Sequence, residues 1–179
     1  VIDVETTSGD PERGRVMEVA VVQVDDGMAV AEWHSLVKPR CTVPPFTERL
    51  TGIRNGMLHQ APLFNVVAEV LLALTRDRVV VAHNARFDMT ALRHEFARTG
   101  LTFQRPVLCT EKLARRLLPE LPHHNLTSLC RHFGVAFPGA HRALPDAMAT
   151  TGLLQQLIAA YGPEEVERSV QFVALGEAA

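Results

Sequence analysis

The chain has 179 residues, 47% of them hydrophobic, and a net charge of −2 at pH 7. That length fills one compact domain with its own core, and no run of about eighteen apolar residues exists to cross a membrane. The mild acidity excludes a nucleic-acid binder held by a basic surface alone, so phosphate chemistry here would need bound cations or local arginines.

In chain order, Val1 to Glu5 reads as a short strand that opens without a lead-in, so it is expected to be trimmed from a longer one. Thr6 to Gly14 is a turn rich in Ser, Gly, Asp and Pro. Val16 to Val24 is a long apolar, β-branched strand, Asp25-Asp26-Gly27 a tight hairpin, and Met28 to Val37 the returning strand. Pro44 and Pro45 precede a short helix over Phe46–Leu50, which Gly52 stops. Pro62 opens a helix to about Thr75 with Val66, Val67, Val70, Leu71 and Leu74 expected on its buried side. Val79 to Ala82 is apolar throughout, as a strand covered on both faces would be. A helix follows from Asn84 or Ala85 to Thr99, ended by Gly100. Val107–Cys109 is a further strand. Thr110 is expected to cap a helix to Leu118, and Asn125 one over Leu126–Phe133. Ala143–Ala160 is the last long helix. The segment from about 163 to 179 is read as a short helix or the start of a linker. This order predicts an α/β domain with a mixed five-stranded sheet, three strands antiparallel and two parallel, flanked by helices.

Three constellations carry chemistry. In Asp3-x-Glu5-Thr6-Thr7, two carboxylates one residue apart in a strand project from the same face. Such a pair is either a solvated strand edge or a ligand set for a hard cation. In His83-Asn84-Ala85-Arg86-Phe87-Asp88, which follows the buried strand, Asn84 can cap the next helix and Asp88 lies in its first turn. Asp88 could merely favour the helix dipole there, and Phe87 reads as core. In His141-Arg142-Ala143-Leu144-Pro145-Asp146, the histidine and the aspartate flank the start of the last helix. Together, four carboxylates at strand ends and helix starts can meet on one sheet edge. Uncompensated, they would be destabilising; two divalent ions would offset the repulsion and make a phosphoryl-transfer site, with a histidine to accept a proton.

These motifs resemble the histidine-bearing (DEDDh, DnaQ-like) branch of the DEDD exonuclease superfamily, over Asp3 to about Ala160. The resemblance implies a ribonuclease H-like fold, so 1–179 is expected to be a single exonuclease domain. It implies two divalent cations, Mg²⁺ or Mn²⁺. Asp3, Glu5 and Asp146 would hold the first, Asp3 and Asp88 the second, and His141 would be the general base. Thr6 and Thr7 match the segment that meets the 3′-terminal nucleotide. Leu50, Thr51 and Ile53 match the one that packs on the terminal base, although Leu50 and Ile53 could equally be core. Asn84 resembles a position near the substrate. The implied activity is 3′→5′ removal of nucleoside 5′-monophosphates from single-stranded or frayed DNA, in proofreading or repair, with a polymerase or similar module as associate. A 3′→5′ exoribonuclease and a catalytically silent nucleic-acid-binding module are the alternatives.

Other residues have plainer readings. Glu18 within its apolar strand is expected to be buried or paired, or to support Asp3 from behind. His123 and His124 lack partners at zinc spacing. Lys112, Arg115 and Arg116 form a basic helix face that is either solvated or steering for a nucleic-acid backbone. Cys41, Cys109 and Cys130 show no C-x-x-C spacing and fit reduced thiols in the cytoplasm. No signal-peptide pattern is visible in these residues.

Overall fold

The computed structural model describes residues 1–137, 139 and 141–172. Strands β1 (Ile2–Thr6), β2 (Val16–Asp25) and β3 (Met28–Leu36) form an antiparallel meander in that order. Its hairpin has positive φ at both Asp26 (50°) and Gly27 (76°), the twist that a two-residue turn between right-twisted strands requires. β2 is central and almost wholly buried, whereas β3 is the exposed edge.

Two short strands, β4 (Val80–Ala82) and β5 (Val107–Cys109), pair in parallel. All five expected strands are present, but their ladders are two, meeting where β4 lies beside β1. At that seam the Val4 N–H is taken by the Asp88 carboxylate at 3.1 Å rather than by a neighbouring strand.

Helices α1 (Pro45–Thr51), α2 (Asn55–Leu58) and α3 (Phe64–Leu74) follow the meander, and α4 (Ala85–Arg98) follows β4. Beyond β5 come α5 (Thr110–Leu117), α6 (Leu126–Phe133), α7 (Ala143–Tyr161) and α8 (Pro163–Glu167). The expected short helix after Gly162 is thus α8, while 173–179 lie outside the described residues.

Several local expectations need correcting. α2 was not anticipated: one turn is too short to show periodicity, and Glu48 fixes it by accepting the Asn55 backbone N–H at 2.9 Å and its side-chain amide at 2.7 Å. α3 starts at Phe64 rather than Pro62, so its buried stripe is Phe64, Val67, Ala68 and Leu71, an i, i+3, i+4, i+7 set. That rotation leaves Val66 exposed and Val70 and Leu74 half-buried. Val79 stays outside β4 and exposed. Thr110 is the first residue of α5, not a side-chain cap, because its hydroxyl is engaged by His83 and Ala82. Asn125 caps α6 as expected, accepting the Ser128 N–H at 2.9 Å.

The main core lies on one sheet face, where Ile2, Val4, Val19 and Val21 meet α3 and α4 through Val67, Leu71, Leu92 and Phe96. On the other face α7 packs Ala143 and Ala147 against Ala20 and Val22. Small side chains let the helix start approach the sheet closely. β1 alternates accordingly: Ile2, Val4 and Thr6 are buried, and Asp3 and Glu5 are half-buried on the α7 side.

Candidate active site

The C-terminal end of β1 is shaped by a β-bulge. Glu5 stands opposite Glu18, but Thr6 stands opposite Val16, so one β2 residue is skipped. Beyond it the chain folds back through a tight loop. Gly14 is needed there, since a Cβ would lie 3.2 Å from the Thr6 Cβ and 3.0 Å from the Asp10 carbonyl oxygen. Thr7 is tied into this loop: its N–H donates to Arg15 O at 2.9 Å and its hydroxyl accepts the Arg15 N–H at 3.0 Å.

Asp88 reaches the same place from the first turn of α4, and Asp146 from the first turn of α7. His141 is exposed, with φ +71°, and its backbone N–H donates to Asp146 Oδ2 at 3.2 Å. A cleft of about 400 Å³ gathers Asp3, Glu5, Thr6, Leu50, Thr51, Asn84, Asp88, His141 and Asp146. Thr7 and Ile53 do not line it. Thr7 is committed to Arg15 and Thr47, and Ile53 is packed with Met17, Val43 and Leu58. Thr51 lines the cleft but has its hydroxyl satisfied, donating to Thr47 O and accepting the Ile53 N–H. Asn84 is in the left-handed region at φ 61° and makes no side-chain cap bond. Its amide is therefore left to the cleft, and the capping alternative is not realised. Asparagine tolerates this backbone better than most residues.

The electrostatics are those of a crowded anion set. Burial, then the charges of Asp88, Asp146, Glu5 and Glu18, raise the Asp3 pKa well above the carboxylate range. Burial and its acidic neighbours push Glu5 to about 8, with Arg142 acting in the opposite sense. Asp88 is pushed to about 7 by burial, although the Val4 N–H favours its charged form. Asp146 is raised by burial, and its Oδ1 is buried with no hydrogen-bond partner among the described residues.

Asp3, Glu5 and Asp146 each offer a ligand atom, all within 4.8 Å of one another. Oxygens about 2.0–2.6 Å from one hard cation fall at such separations, so this donor set fits a divalent ion. The unpartnered Asp146 oxygen is a further sign of fit.

Signals beyond the expected set also emerge. His83 lines the cleft; its Nδ1 is 2.9 Å from Thr110 Oγ1, its Nε2 is buried without a partner among the described residues, and burial lowers its pKa to about 4. Phe46 and Phe87 also line the cleft, the former 68% exposed. Glu18 is buried beneath the site and holds Arg142. By contrast, His124 is buried on the Leu118 carbonyl, and Arg115 and Arg116 pair with Glu111 and Glu165.

A profile of the exonuclease family, RNase T type, matches residues 1–154. The chain belongs to this exonuclease family. The exonuclease domain is 39% identical over 175 residues to a Mycobacterium tuberculosis protein with the provisional name bifunctional exonuclease/endonuclease, covering 93% of this chain and 27% of that protein. It is 35% identical to the Aquifex aeolicus DNA polymerase III subunit epsilon, covering 88% of this chain and 79% of the relative. Exonuclease X, solved in complex with 5′ overhanging duplex DNA, aligns with TM-score 0.73 and 29% identity, covering 92% of this chain and 95% of that one. The mixed α/β arrangement of the exonuclease domain is thus the ribonuclease H-like one. No described helix is long and apolar enough to cross a membrane.

Proposed function

We propose that this domain is a metal-dependent 3′→5′ exonuclease that hydrolyses the terminal phosphodiester of single-stranded or frayed DNA. The observation that carries this reading is the meeting of Asp3, Glu5, Asp88 and Asp146 in one cleft with His141. Asp3, Glu5 and Asp146 would hold one Mg²⁺ or Mn²⁺, and Asp88 with Asp3 a second. When bound, the two cations offset the carboxylate charge, lower the pKa of water and favour an oxyanion leaving group.

His141 accepts the proton of the attacking water, as a histidine is suited to do near neutral pH. The water oxygen bonds to phosphorus, the bond from phosphorus to the upstream 3′ oxygen breaks, and a nucleoside 5′-monophosphate leaves. Phe46 and Leu50, one helical turn apart and exposed beside the cleft, offer apolar surface to an unpaired terminal base. Thr6, Thr51 and Asn84 face the same nucleotide, while Thr7 is held by Arg15 and Thr47 and the Ile53 N–H holds the Thr51 hydroxyl. The likeness to an epsilon subunit favours work beside a polymerase or another replication or repair module.

The test is digestion of 3′-labelled and 5′-labelled single-stranded DNA with Mg²⁺, Mn²⁺ or EDTA, alongside a matched RNA. Immediate release of the 3′ label as mononucleotide, absent with EDTA, is expected. Prior release of the 5′ label, or digestion unaffected by EDTA, would overturn the reading. Faster loss of RNA would move the substrate assignment to RNA.

A further inference from the structure

Glu18 is a carboxylate that the proposed ligand set does not use. It lies near the start of β2, opposite Glu5, with its side chain 2% exposed. Its negative charge adds to the crowding at Asp3, Glu5 and Asp146. A glutamine would fill the same space without that repulsion, so the charge itself calls for a reason.

The hydrogen bonds supply one. Glu18 Oε1 accepts Arg142 Nη2 at 2.6 Å, and Oε2 accepts both Arg142 Nε at 3.0 Å and the Ala143 backbone N–H at 2.9 Å. An ionised carboxylate accepts all three donors, whereas an amide would turn its NH₂ toward one of them. The two anchored residues begin α7, whose first turn has no side-chain cap of its own. His141 directly precedes them, and Asp146 follows within one turn, joined to His141 through its backbone N–H.

We infer that Glu18 is a positioning residue: through Arg142 and the Ala143 N–H it fixes the start of α7 against β1, and so places His141 and Asp146 over Asp3 and Glu5. The inference rests on the exonuclease reading of the cleft. Its internal comparator is Glu95, which has the same chemistry at another location. Glu95 accepts Arg15 Nε at 2.6 Å, Arg15 Nη2 at 3.0 Å and the Val16 N–H at 3.2 Å. It anchors the start of β2, and among the described residues its carboxylate pairs with Arg15, Val16 and Arg98 rather than with a proposed metal ligand.

The experiment compares Glu18→Gln and Glu95→Gln in the full chain. It reads melting temperature, Mn²⁺ affinity by electron paramagnetic resonance, and kcat and KM on a single-stranded oligonucleotide. For Glu18→Gln, Mn²⁺ affinity and kcat are each expected to fall about tenfold or more, with KM held within about twofold. Glu95→Gln is expected to lose melting temperature while its Mn²⁺ affinity and kcat stay within about twofold of wild type. A Glu18→Gln protein that loses only melting temperature overturns the inference, as does an equal loss of Mn²⁺ affinity in Glu95→Gln. Should Glu18→Gln not fold, Arg142→Lys keeps the charge but loses the two-pronged geometry. A several-fold loss of kcat in that folded variant supports the inference, and an unchanged kcat overturns it. If wild type binds Mn²⁺ but digests nothing, the exonuclease reading fails, and the positioning role is still judged by the Mn²⁺ affinities.

Discussion

Helix α4 carries two buried carboxylates seven residues apart, Asp88 and Glu95. Both reach the sheet and accept a backbone N–H, Asp88 from Val4 and Glu95 from Val16. Their surroundings then diverge. Glu95 has the guanidinium of Arg15 at 2.6 Å and that of Arg98 at 3.4 Å. Among the described residues Asp88 pairs with no cationic side chain, and its pKa is pushed to about 7. The same structural device is charge-balanced by the protein at one end of the helix and left unbalanced at the other. A buried carboxylate whose charge the chain does not offset marks the place where an external cation is expected.

The sharpest way to break this comparison is to remove the unbalanced charge. Asp3→Asn combined with Glu5→Gln should take exonuclease activity below detection. Because it relieves repulsion, it should also raise the metal-free melting temperature at pH 8. A variant that melts lower, or that still digests DNA, would show that these carboxylates are ordinary structural groups. His141→Gln separates proton transfer from metal holding. Its kcat should fall by about 10²–10⁴-fold while Mn²⁺ affinity stays near wild type.

The balanced end should respond in the opposite way. Glu95→Ala leaves the half-buried Arg15 without its carboxylate partner and the Val16 N–H without its acceptor. Breaking a buried pair from one side costs about 3–5 kcal/mol, or roughly 10 °C in a chain of this size. Activity per folded molecule, measured well below the melting temperature, should remain within about twofold. A large loss of kcat without a loss of stability would mean that Glu95 belongs to the site and that the contrast along α4 is false.

Much of this layout was legible in the sequence because the signals are local. The Asp25-Asp26-Gly27 hairpin, the Asn125 cap and the carboxylates at strand ends and helix starts each depend on neighbours a few residues away. What was hidden depends on partners far apart in the chain. Nothing near Glu18 announces Arg142, 124 residues on. Similarly, Thr110 reads as a cap until the fold brings His83 to its hydroxyl. Ile53 reads as a base-packing residue because it adjoins Leu50, yet the turn at Gly52 sends the two side chains to opposite environments: Leu50 is 44% exposed and Ile53 fully buried. The α3 stripe failed by one step of rotation, since both Val66 and Val67 suit an apolar face and only the start at Phe64 chooses between them.

The mildest test follows from the sign of the pKa shifts. Glu5 is raised from 4.5 to about 8 and Asp88 from 3.8 to about 7. The folded, metal-free chain therefore holds protons that the unfolded chain has already released between about pH 4 and pH 8. Stability must fall as pH rises across that interval and level off above it. In EDTA, the melting temperature should decline by on the order of 10 °C from pH 5 to pH 8. Saturating Mg²⁺ should reduce the decline, because the ion favours the deprotonated ligands that the metal-free fold resists. Glu95→Gln, which breaks the Arg15 pair and leaves the cleft intact, should lower the whole curve. A metal-free melting temperature that is flat or rises over this range would mean that the carboxylates of the cleft are not crowded, and the distinction between the two ends of α4 would be lost.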